Sequence, residues 1–220
     1  MRIDLHVHTH FSPDALSTPE RLAAAAKRKG LDGIAVTDHN TTAGWKRMLA
    51  AGKREGILVI RGEEVKVSHD GRSIGEVLAL FIGEEIRPGE FPEVRDMVRR
   101  QGGILVVAHP FDSFRNSFAM AEEYRKDFGA VESLNSRAVL DRFNRKAAEF
   151  ASRNGLPVTG GSDAHCCHEV GKAWTAAEAR DLNGFERALR AGKTSTGGGR
   201  SNPLIHIVST IAKTGIGKGR

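Results

Sequence analysis

The stretch RIDLHVHTHFSPD, residues 2–14, concentrates side chains that bind metal ions. His6 and His8 alternate along a segment of strand character, so their side chains point to the same side and can reach one ion. Two buried imidazoles need polar partners, and metal coordination would supply them. A pair of structural histidines is the alternative interpretation of this short motif. His10 shares their parity, but it follows the predicted strand end, and we place it in a loop.

Further potential ligands stand where later predicted strands end. They are Asp38 and His39 after the second strand, Glu63 and Glu64 after the third, His109 after the fourth, Glu132 and Asn135 after the fifth, and Asp163 and His165 after the sixth. In a parallel β/α barrel these ends converge on one face. Mixed histidine and carboxylate ligation suits Zn, Mn or Fe better than Mg alone. Cys166 directly follows His165, so a thiolate ligand stays an open alternative.

Short apolar segments alternate with helical segments along the chain, which predicts β/α units around a parallel sheet. The predicted strands are RIDLHV, LDGIAVTDH, ILVIRGEE, GGILVVAHP, AVESLN, LPVTGGSDAH and KAWT. The predicted helices run from Thr18 to Gly30, over AGWKRMLAAGKREG, and over residues 91–101, 117–127, 137–153 and 181–190. VKVS and GEVLALFI form a predicted hairpin that turns at Asp70-Gly71.

About seven strands in a chain of 220 residues predict a closed or nearly closed α/β barrel, smaller than the eightfold barrel. An open doubly wound sheet is the alternative, but no glycine-rich phosphate loop follows a strand at the required spacing.

We assign residues 1–195 to the barrel domain and residues 196–220 to a C-terminal loop, helix and basic tail. TSTGGGRSNP reads as a flexible loop, and Lys213, Lys218 and Arg220 either solubilise the tail or contact nucleic acid.

Composition sets limits on the protein class. Apolar residues make up 40% and charged residues 27%, which is typical of a folded domain, and no apolar run is long enough to span a bilayer. The N-terminus lacks a secretory signal pattern, which predicts a cytoplasmic protein without a membrane partner.

Cys166 and Cys167 are adjacent, which favours two thiols over a disulfide. A net charge of +6 favours phosphates, nucleotides or nucleic acid as partners, and no pattern marks an oligomer interface.

The motifs DLHVHTHFSPD, GIAVTDHNT, GEEV, GGILVVAHP, VESLN and GGSDAH occur in one order at predicted strand ends. In this combination the sequence resembles the polymerase and histidinol phosphatase (PHP) domain family over nearly its whole length. The resemblance implies a distorted seven-stranded β/α barrel. It also implies two or three divalent metal ions, with Zn, Mn and Fe as the candidates.

The resemblance also implies which side chains hold these ions. A first metal would bind His6, His8, Glu64 and Asp163, a second His109 and the bridging Glu64, and a third Asp14, His39 and His165. Glu76 stands where many members carry a histidine, and we predict that its carboxylate ligates the second metal. Asp38 would support a neighbouring ligand by hydrogen bonding.

The implied activity is hydrolysis of a phosphomonoester or nucleotide by a metal-bound water, without a side-chain nucleophile. His168 is a candidate acid for the leaving oxygen, and Arg115, Arg137 and Arg200 are candidates to bind the phosphate. Two alternatives remain. One is an exonuclease of the 5′–3′ type that trims oligonucleotides and binds single-stranded nucleic acid, and the other is a PHP binding module that has lost catalysis.

Overall fold

A computed structural model describes residues 1–202, in which ten strands form one sheet that five helices cover. The strands are β1 (Arg2–Val7), β2 (Gly33–Val36), β3 (Leu58–His69), β4 (Arg72–Leu80), β5 (Gly89–Glu90), β6 (Ile104–Val107), β7 (Ala130–Asn135), β8 (Val158–Gly161), β9 (Ala173–Ala177) and β10 (Thr194–Gly198). The helices are α1 (Pro19–Arg28), α2 (Trp45–Glu55), α3 (Phe91–Arg100), α4 (Asp141–Asn154) and α5 (Leu182–Arg190).

The strand order is β10-β9-β1-β2-β3-β4-β6-β7-β8, with β5 paired to β3. Pairing is parallel from β1 through β3 and from β6 through β8. Strand β4 is antiparallel to β3 and to β6, and β9 is antiparallel to β1 and to β10. The two ends of the sheet approach each other where Val7 bridges to Ala164 and the Gly160 N–H donates to Thr175 Oγ1 at 2.8 Å. The prediction of a nearly closed α/β barrel is therefore confirmed. The predicted strand count is slightly low, since short strands such as β5 and β10 carry little sequence signal.

Two apolar clusters stabilise this arrangement. One joins buried residues of α1, α2, α3 and α4 to the strands that these helices cover. The other joins side chains from six strands, among them Leu5, Leu78 and Val106, to Phe185 and Leu189 of α5. Because the second cluster draws on strands from all around the barrel, it fills the interior. The polar strand ends described below lie at one mouth of this core.

The β3–β4 hairpin forms at Asp70-Gly71, as predicted. Both residues have positive φ, 51° and 71°, which is the backbone of a type I′ turn and suits an Asp-Gly pair. Glu90 braces the turn by accepting hydrogen bonds from the Asp70 and Gly71 N–H groups at 2.9 and 3.0 Å. The hairpin inserts the antiparallel strand β4 between β3 and β6.

The predicted helix over residues 117–127 is wrong, because this segment forms a series of turns. Its backbone is held instead by β4, where the Ala119 N–H donates to Ile74 O at 2.7 Å. Gly75, with φ of 125°, permits this contact, since a Cβ at that position would lie 2.6 Å from Phe118 Cα. Phe118 packs edge-on against Phe91 at 5.1 Å. Long-range packing therefore overrides the local helical pattern.

The flexible-loop interpretation of TSTGGGRSNP is also wrong for its first half, which forms β10 paired to β9. Gly197 lies against the indole of Trp174, where a Cβ would come within 2.7 Å of the ring. The glycines therefore allow a close approach of two strands and do not mark flexibility. The predicted C-terminal helix and the tail with Lys213, Lys218 and Arg220 lie outside the described residues.

Two predictions from composition concern the described residues. Within residues 1–202, no helix has both the length and the apolar character needed to cross a bilayer. Cys166 and Cys167 are both buried free thiols, as their adjacency indicated. Burial raises the pKa of the Cys166 thiol, which disfavours its thiolate form.

Candidate metal centre

Four buried side chains meet at the mouth of the barrel. His6 Nε2 lies 3.3 Å from Glu64 Oε2 and 3.6 Å from Asp163 Oδ1. His8 Nε2 lies 3.3 Å from each of the same two oxygens. Ligand atoms about 2.1 Å from a tetrahedral ion stand about 3.4 Å apart, so these separations match the spacing of a coordination shell.

The atoms that face one another in this group lack hydrogen bonds. Among the described residues, His6 Nε2, His8 Nε2, Glu64 Oε2 and Asp163 Oδ1 are buried without a hydrogen-bond partner. An unsatisfied buried polar atom costs about 1–3 kcal/mol, and one cation would satisfy all four. The donor set of two imidazoles and two carboxylates therefore fits a divalent metal ion.

Glu64 links this group to a second one. Its other oxygen, Oε1, lies 3.2 Å from His109 Nε2, as a bridging carboxylate would require. Glu76 is buried and its Oε1 lies 3.9 Å from His39 Nδ1, so its carboxylate faces the cluster, and its ligation of a second metal stays a prediction. Glu63 points elsewhere, because its Oε2 accepts a hydrogen bond from the Ile86 N–H at 2.9 Å.

A third group surrounds Asp14. Its Oδ1 lies 3.6 Å from His39 Nε2 and 3.4 Å from His165 Nε2. His8, His39 and His165 also present ring nitrogens within 4.8 Å of one another. In residues 1–202, the groups of side chains spaced to hold a metal ion consist of histidines and carboxylates and include neither cysteine. All nine predicted ligands therefore converge at one mouth of the barrel, while His10 lies in the loop after β1.

Hydrogen bonds fix the orientation of two of these rings. His6 Nδ1 lies 2.9 Å from Glu132 Oε1, and His165 Nδ1 lies 2.8 Å from the carbonyl oxygen of Asp163. Because these oxygens accept, each Nδ1 carries a proton, and Nε2 is the ring nitrogen that faces the cluster and is left to bind a metal ion. This is the tautomer that a metal ligand needs.

Glu132 and Asn135 support the cluster, a role that the sequence did not assign to them. Glu132 Oε2 accepts hydrogen bonds from the His109 N–H at 2.9 Å and from Asn135 Nδ2 at 3.0 Å. Asn135 Nδ2 also lies 3.1 Å from Asp163 Oδ2. Their position at the end of a predicted strand was the available signal, but only the folded chain shows which side chains they hold.

Asp38 supports the loop after β1. It accepts hydrogen bonds from the Thr9 N–H and from Ser12 Oγ, both at 2.7 Å. Ser12 Oγ in turn lies 3.3 Å from His8 Nδ1 and accepts from the His39 N–H at 3.1 Å. Asp38 therefore reaches the predicted ligands through Ser12.

Two of the predicted ligands have an uncommon backbone conformation. His109 and Asp163 both have positive φ, 29° and 55°, a region that residues other than glycine rarely adopt. Such strain persists only where the surrounding structure imposes it, and it concentrates at functional sites.

Burial and mutual charge shift the pKa values of the cluster in opposite directions. Burial, with repulsion from His39 and His165, lowers the pKa of His8 to about 3. Burial also opposes charge on His39, but the carboxylates of Glu64, Asp14 and Glu76 outweigh it and raise the pKa of His39 to about 9. Burial alone would raise the pKa of Glu64, yet His6 and His39 hold it well below its usual range.

Comparison with known proteins identifies the family. The sequence profile of the PHP domain matches residues 4–154, more than half of the chain, and a PHP-associated profile matches residues 141–194. The chain belongs to the PHP domain family. An uncharacterized protein of Methanocaldococcus jannaschii is 33% identical over 170 residues, which are 67% of this chain and 96% of that protein.

Two further comparisons, one of sequence and one of structure, agree with this family. A protein of Vibrio campbellii named a probable phosphatase is 25% identical over 216 residues, which cover 84% of this chain and 86% of that protein. A two-domain protein of Bacteroides vulgatus that contains a predicted PHP-like metal-dependent phosphoesterase has a similar fold, with a TM-score of 0.76 and 21% identity. That match covers 90% of this chain and 65% of the two-domain chain, and at this identity it supports the fold alone.

Of the three arginines predicted to bind phosphate, Arg115 reaches the cluster of histidines and carboxylates in this PHP domain. Its Nη2 pairs with Asp163 Oδ2, and its Nη1 donates to Asn135 Oδ1 at 3.3 Å. This contact leaves Asp163 Oδ1 directed at His6 and His8. Arg115 therefore lies beside a predicted ligand without occupying the oxygen that faces the imidazoles.

Arg137 instead forms a buried ion pair with Glu169, at 3.1 and 3.3 Å from its two oxygens. Glu169 Oε2 accepts from the N–H groups of His165 and Cys166 at 2.9 and 3.1 Å. The pair therefore fixes the backbone that presents His165. Sequence reasoning missed Glu169, which no motif marks.

The other two polar candidates lie away from the ligand atoms. Arg200 Nη1 donates to the carbonyl oxygens of Val139 and Ala138 at 2.8 and 3.3 Å. His168 is exposed, and its carbonyl oxygen accepts from Lys29 Nζ at 2.8 Å. The roles predicted for Arg137, Arg200 and His168 stay predictions that these contacts do not support.

Proposed function

We propose that this PHP domain is a metal-dependent phosphoesterase that hydrolyses a phosphomonoester or a nucleotide. One observation carries the proposal: buried, unpaired atoms of His6, His8, Glu64 and Asp163 converge beside the cation Arg115. The relative named a probable phosphatase agrees with this reaction. Two or three ions of Zn, Mn or Fe are the proposed cofactors, held by the nine predicted ligands.

Bound metal ions supply Lewis acidity, which lowers the pKa of a coordinated water and offsets charge on phosphoryl oxygens. The chain supplies orientation. Glu132 keeps the proton of His6 on Nδ1, and the Arg137–Glu169 pair holds the His165 backbone. Arg115 donates one N–H to Asn135 and pairs with Asp163 at the edge of the cluster, and we place the phosphoryl group of a substrate beside its remaining N–H groups.

The test begins with protein stripped of metal by a chelator. A chromogenic phosphate ester, phosphomonoesters, nucleotides and short oligonucleotides are assayed after Mn, Zn, Fe or Mg is added back. We expect hydrolysis that depends on the added metal. His8→Ala and Asp163→Ala should abolish turnover because each removes a predicted ligand, whereas His69→Ala, at the distant hairpin tip, should retain it. Full turnover in the His8 or Asp163 variant would contradict the proposal.

The same panel distinguishes the alternatives. An exonuclease would prefer oligonucleotides, and its rate would depend on their length and labelled end. A binding module would take up metal and hydrolyse none of these compounds. We favour the phosphoesterase because all nine predicted ligands lie together, and a module freed from catalysis would be expected to lose ligands first.

A further inference from the structure

Large apolar side chains are exposed at four positions in residues 1–202: Phe11 (38%), Leu49 (42%), Phe114 (66%) and Leu140 (37%). Single exposed apolar residues are ordinary on protein surfaces. Three of these four, however, lie in segments that directly follow strands β1, β6 and β7, where the metal cluster is built. Leu49 alone lies on a helix, α2. The apolar exposure is therefore concentrated on the face of the candidate metal centre.

Phe114 and Leu140 belong to two loops that one buried carboxylate joins. Asp112 Oδ1 accepts a hydrogen bond from the Phe114 N–H at 3.3 Å, and its Oδ2 accepts from the Val139 N–H at 3.1 Å. The Phe114 ring also packs edge-on against Phe143 of α4, with centroids 6.0 Å apart. These contacts fix the loop and one edge of the ring, while most of the ring surface stays open to solvent.

The residue after Phe114 connects this surface to the chemistry. The Arg115 side chain turns inward to Asp163 and Asn135, whereas the Phe114 ring is turned outward. Consecutive α-carbons are only about 3.8 Å apart. Phe114 and Arg115 therefore lie on one loop, with the guanidinium on its cluster side and the ring on its solvent side, so an alcohol that extends toward solvent from a phosphoryl group at Arg115 would leave the site past the Phe114 ring.

We propose that Phe114 and Leu140 form an apolar platform that binds the alcohol part of the substrate, and that this alcohol carries an aromatic ring. The inference rests on the proposed phosphoesterase function. An open phenyl face favours stacking or edge-to-face contact with another ring, which adds to the free energy gained from burying apolar surface. A hydroxylated alcohol would gain little from contact with these two side chains.

Ethyl phosphate and 2-phenylethyl phosphate test the platform, because their alcohols are similarly acidic and differ by one ring. For the metal-loaded wild type we expect kcat/KM to be about tenfold higher for the phenylethyl ester, which corresponds to about 1.4 kcal/mol. Phe114→Ala should reduce this ratio to near one. Phe114→Trp should keep it, and Leu49→Ala, the matched exposed residue on α2, should leave it unchanged.

Thermal unfolding of each variant tests whether a change in the ratio of kcat/KM values arises from the altered surface or from a loss of fold. Equal kcat/KM for the two esters in the wild type, or an unchanged ratio in Phe114→Ala, would overturn the platform while the phosphoesterase stands. Hydrolysis of none of the phosphomonoesters, nucleotides or the chromogenic ester under any added metal would overturn the phosphoesterase and the platform with it. Hydrolysis of other compounds in that panel, but of neither ethyl phosphate nor 2-phenylethyl phosphate, would overturn the platform alone.

Discussion

Buried charges in the cluster balance one another when no metal is considered. Glu64 and Asp163 are fully buried carboxylates, and isolated burial would strongly disfavour their ionised forms. Burial raises the pKa of Asp163, but Arg115 and His6 outweigh it and hold that pKa well below its usual range. Without a metal ion, the positive charges of Arg115 and the protonated histidines therefore compensate the negative charges of the buried carboxylates. A divalent ion must displace protons from the histidine nitrogens in order to bind there.

His39 gives this competition a measurable pH dependence. Its pKa is raised to about 9, so the metal-free ring is protonated at pH 7 and becomes neutral as the pH rises through 9. Only the neutral ring can bind a metal ion. We expect metal uptake at pH 7 to release a proton and the affinity to increase up to about pH 9. Calorimetric titration of Zn in buffers of different ionisation enthalpy measures the release, and His39→Ala should lower it.

No proton release in the wild type, or the same release in His39→Ala, would contradict this assignment. His69→Ala is the control. His69 hydrogen bonds to the Tyr124 hydroxyl at 2.7 Å, near the hairpin tip and away from the ligands. That variant should release as many protons as the wild type.

The Arg137–Glu169 pair should matter more than any surface ion pair. Both side chains are almost fully buried, so Arg137→Met leaves Glu169 as an uncompensated buried charge. We expect a loss of about 3–5 kcal/mol in the free energy of unfolding. Arg145→Met removes an exposed pair with Asp141 and should cost under about 1 kcal/mol. Urea unfolding compares the two, and equal losses would show that burial does not set the effect.

At the scale of elements, strand β10 depends on glycine for its approach to β9. A Cβ on Gly197 would lie 2.7 Å from the Trp174 ring, whereas a Cβ on Gly199 would meet no atom within 4 Å. Gly197→Ala should therefore lower the free energy of unfolding by about 1–3 kcal/mol, the usual cost of overpacking. Gly199→Ala is the matched control and should be nearly neutral. Equal unfolding midpoints in urea would rule out tight packing at Gly197.

Regular elements were predictable from sequence where local pattern and long-range packing agree. The Asp70-Gly71 turn needs positive φ at both residues and forms where the sequence indicates. Helix α5 begins where Asp181 accepts a hydrogen bond from the Gly184 N–H at 2.6 Å, at the predicted start. The segment 117–127 and strand β10 were mispredicted because distant partners, strand β4 and Trp174, determine their backbone.

The convergence of the candidate ligands was predictable for a related reason, because the ends of parallel strands bring distant residues to one face. The choice of Glu64 over Glu63 came from the resemblance to the PHP family, and Glu64 does face His6, whereas the buried Glu63 accepts a hydrogen bond from the Ile86 N–H. The supporting contacts were not predictable. His6 and Glu132 are 126 positions apart, and the backbone N–H groups that Glu169 accepts from have no sequence signature. Contacts of this kind follow from the folded geometry and not from residue type.

At the scale of the whole molecule, a net charge of +6 coexists with an acidic, histidine-rich centre. Positive charge on the surface favours the approach of anionic substrates, and this attraction weakens as salt is added. A divalent cation bound in the centre would increase the positive potential at the mouth. The phosphate ester that we propose as substrate would then be attracted both by the overall charge and by the loaded site.

Metal removal should destabilise the whole barrel, because the predicted ligands come from both halves of the sheet. A ligand that binds only the folded state at 100 times its Kd stabilises it by about 2.7 kcal/mol per site. For a domain of this size, that corresponds to a rise in Tm of about 5–10 °C. Thermal unfolding with a chelator and after addition of Zn or Mn measures the shift. His8→Ala, which removes a ligand that faces Glu64 and Asp163, should lose most of it, whereas His69→Ala should keep it. Coincident melting with and without metal in the wild type would mean that the buried cluster, although its atoms are spaced for a cation, takes up none with useful affinity.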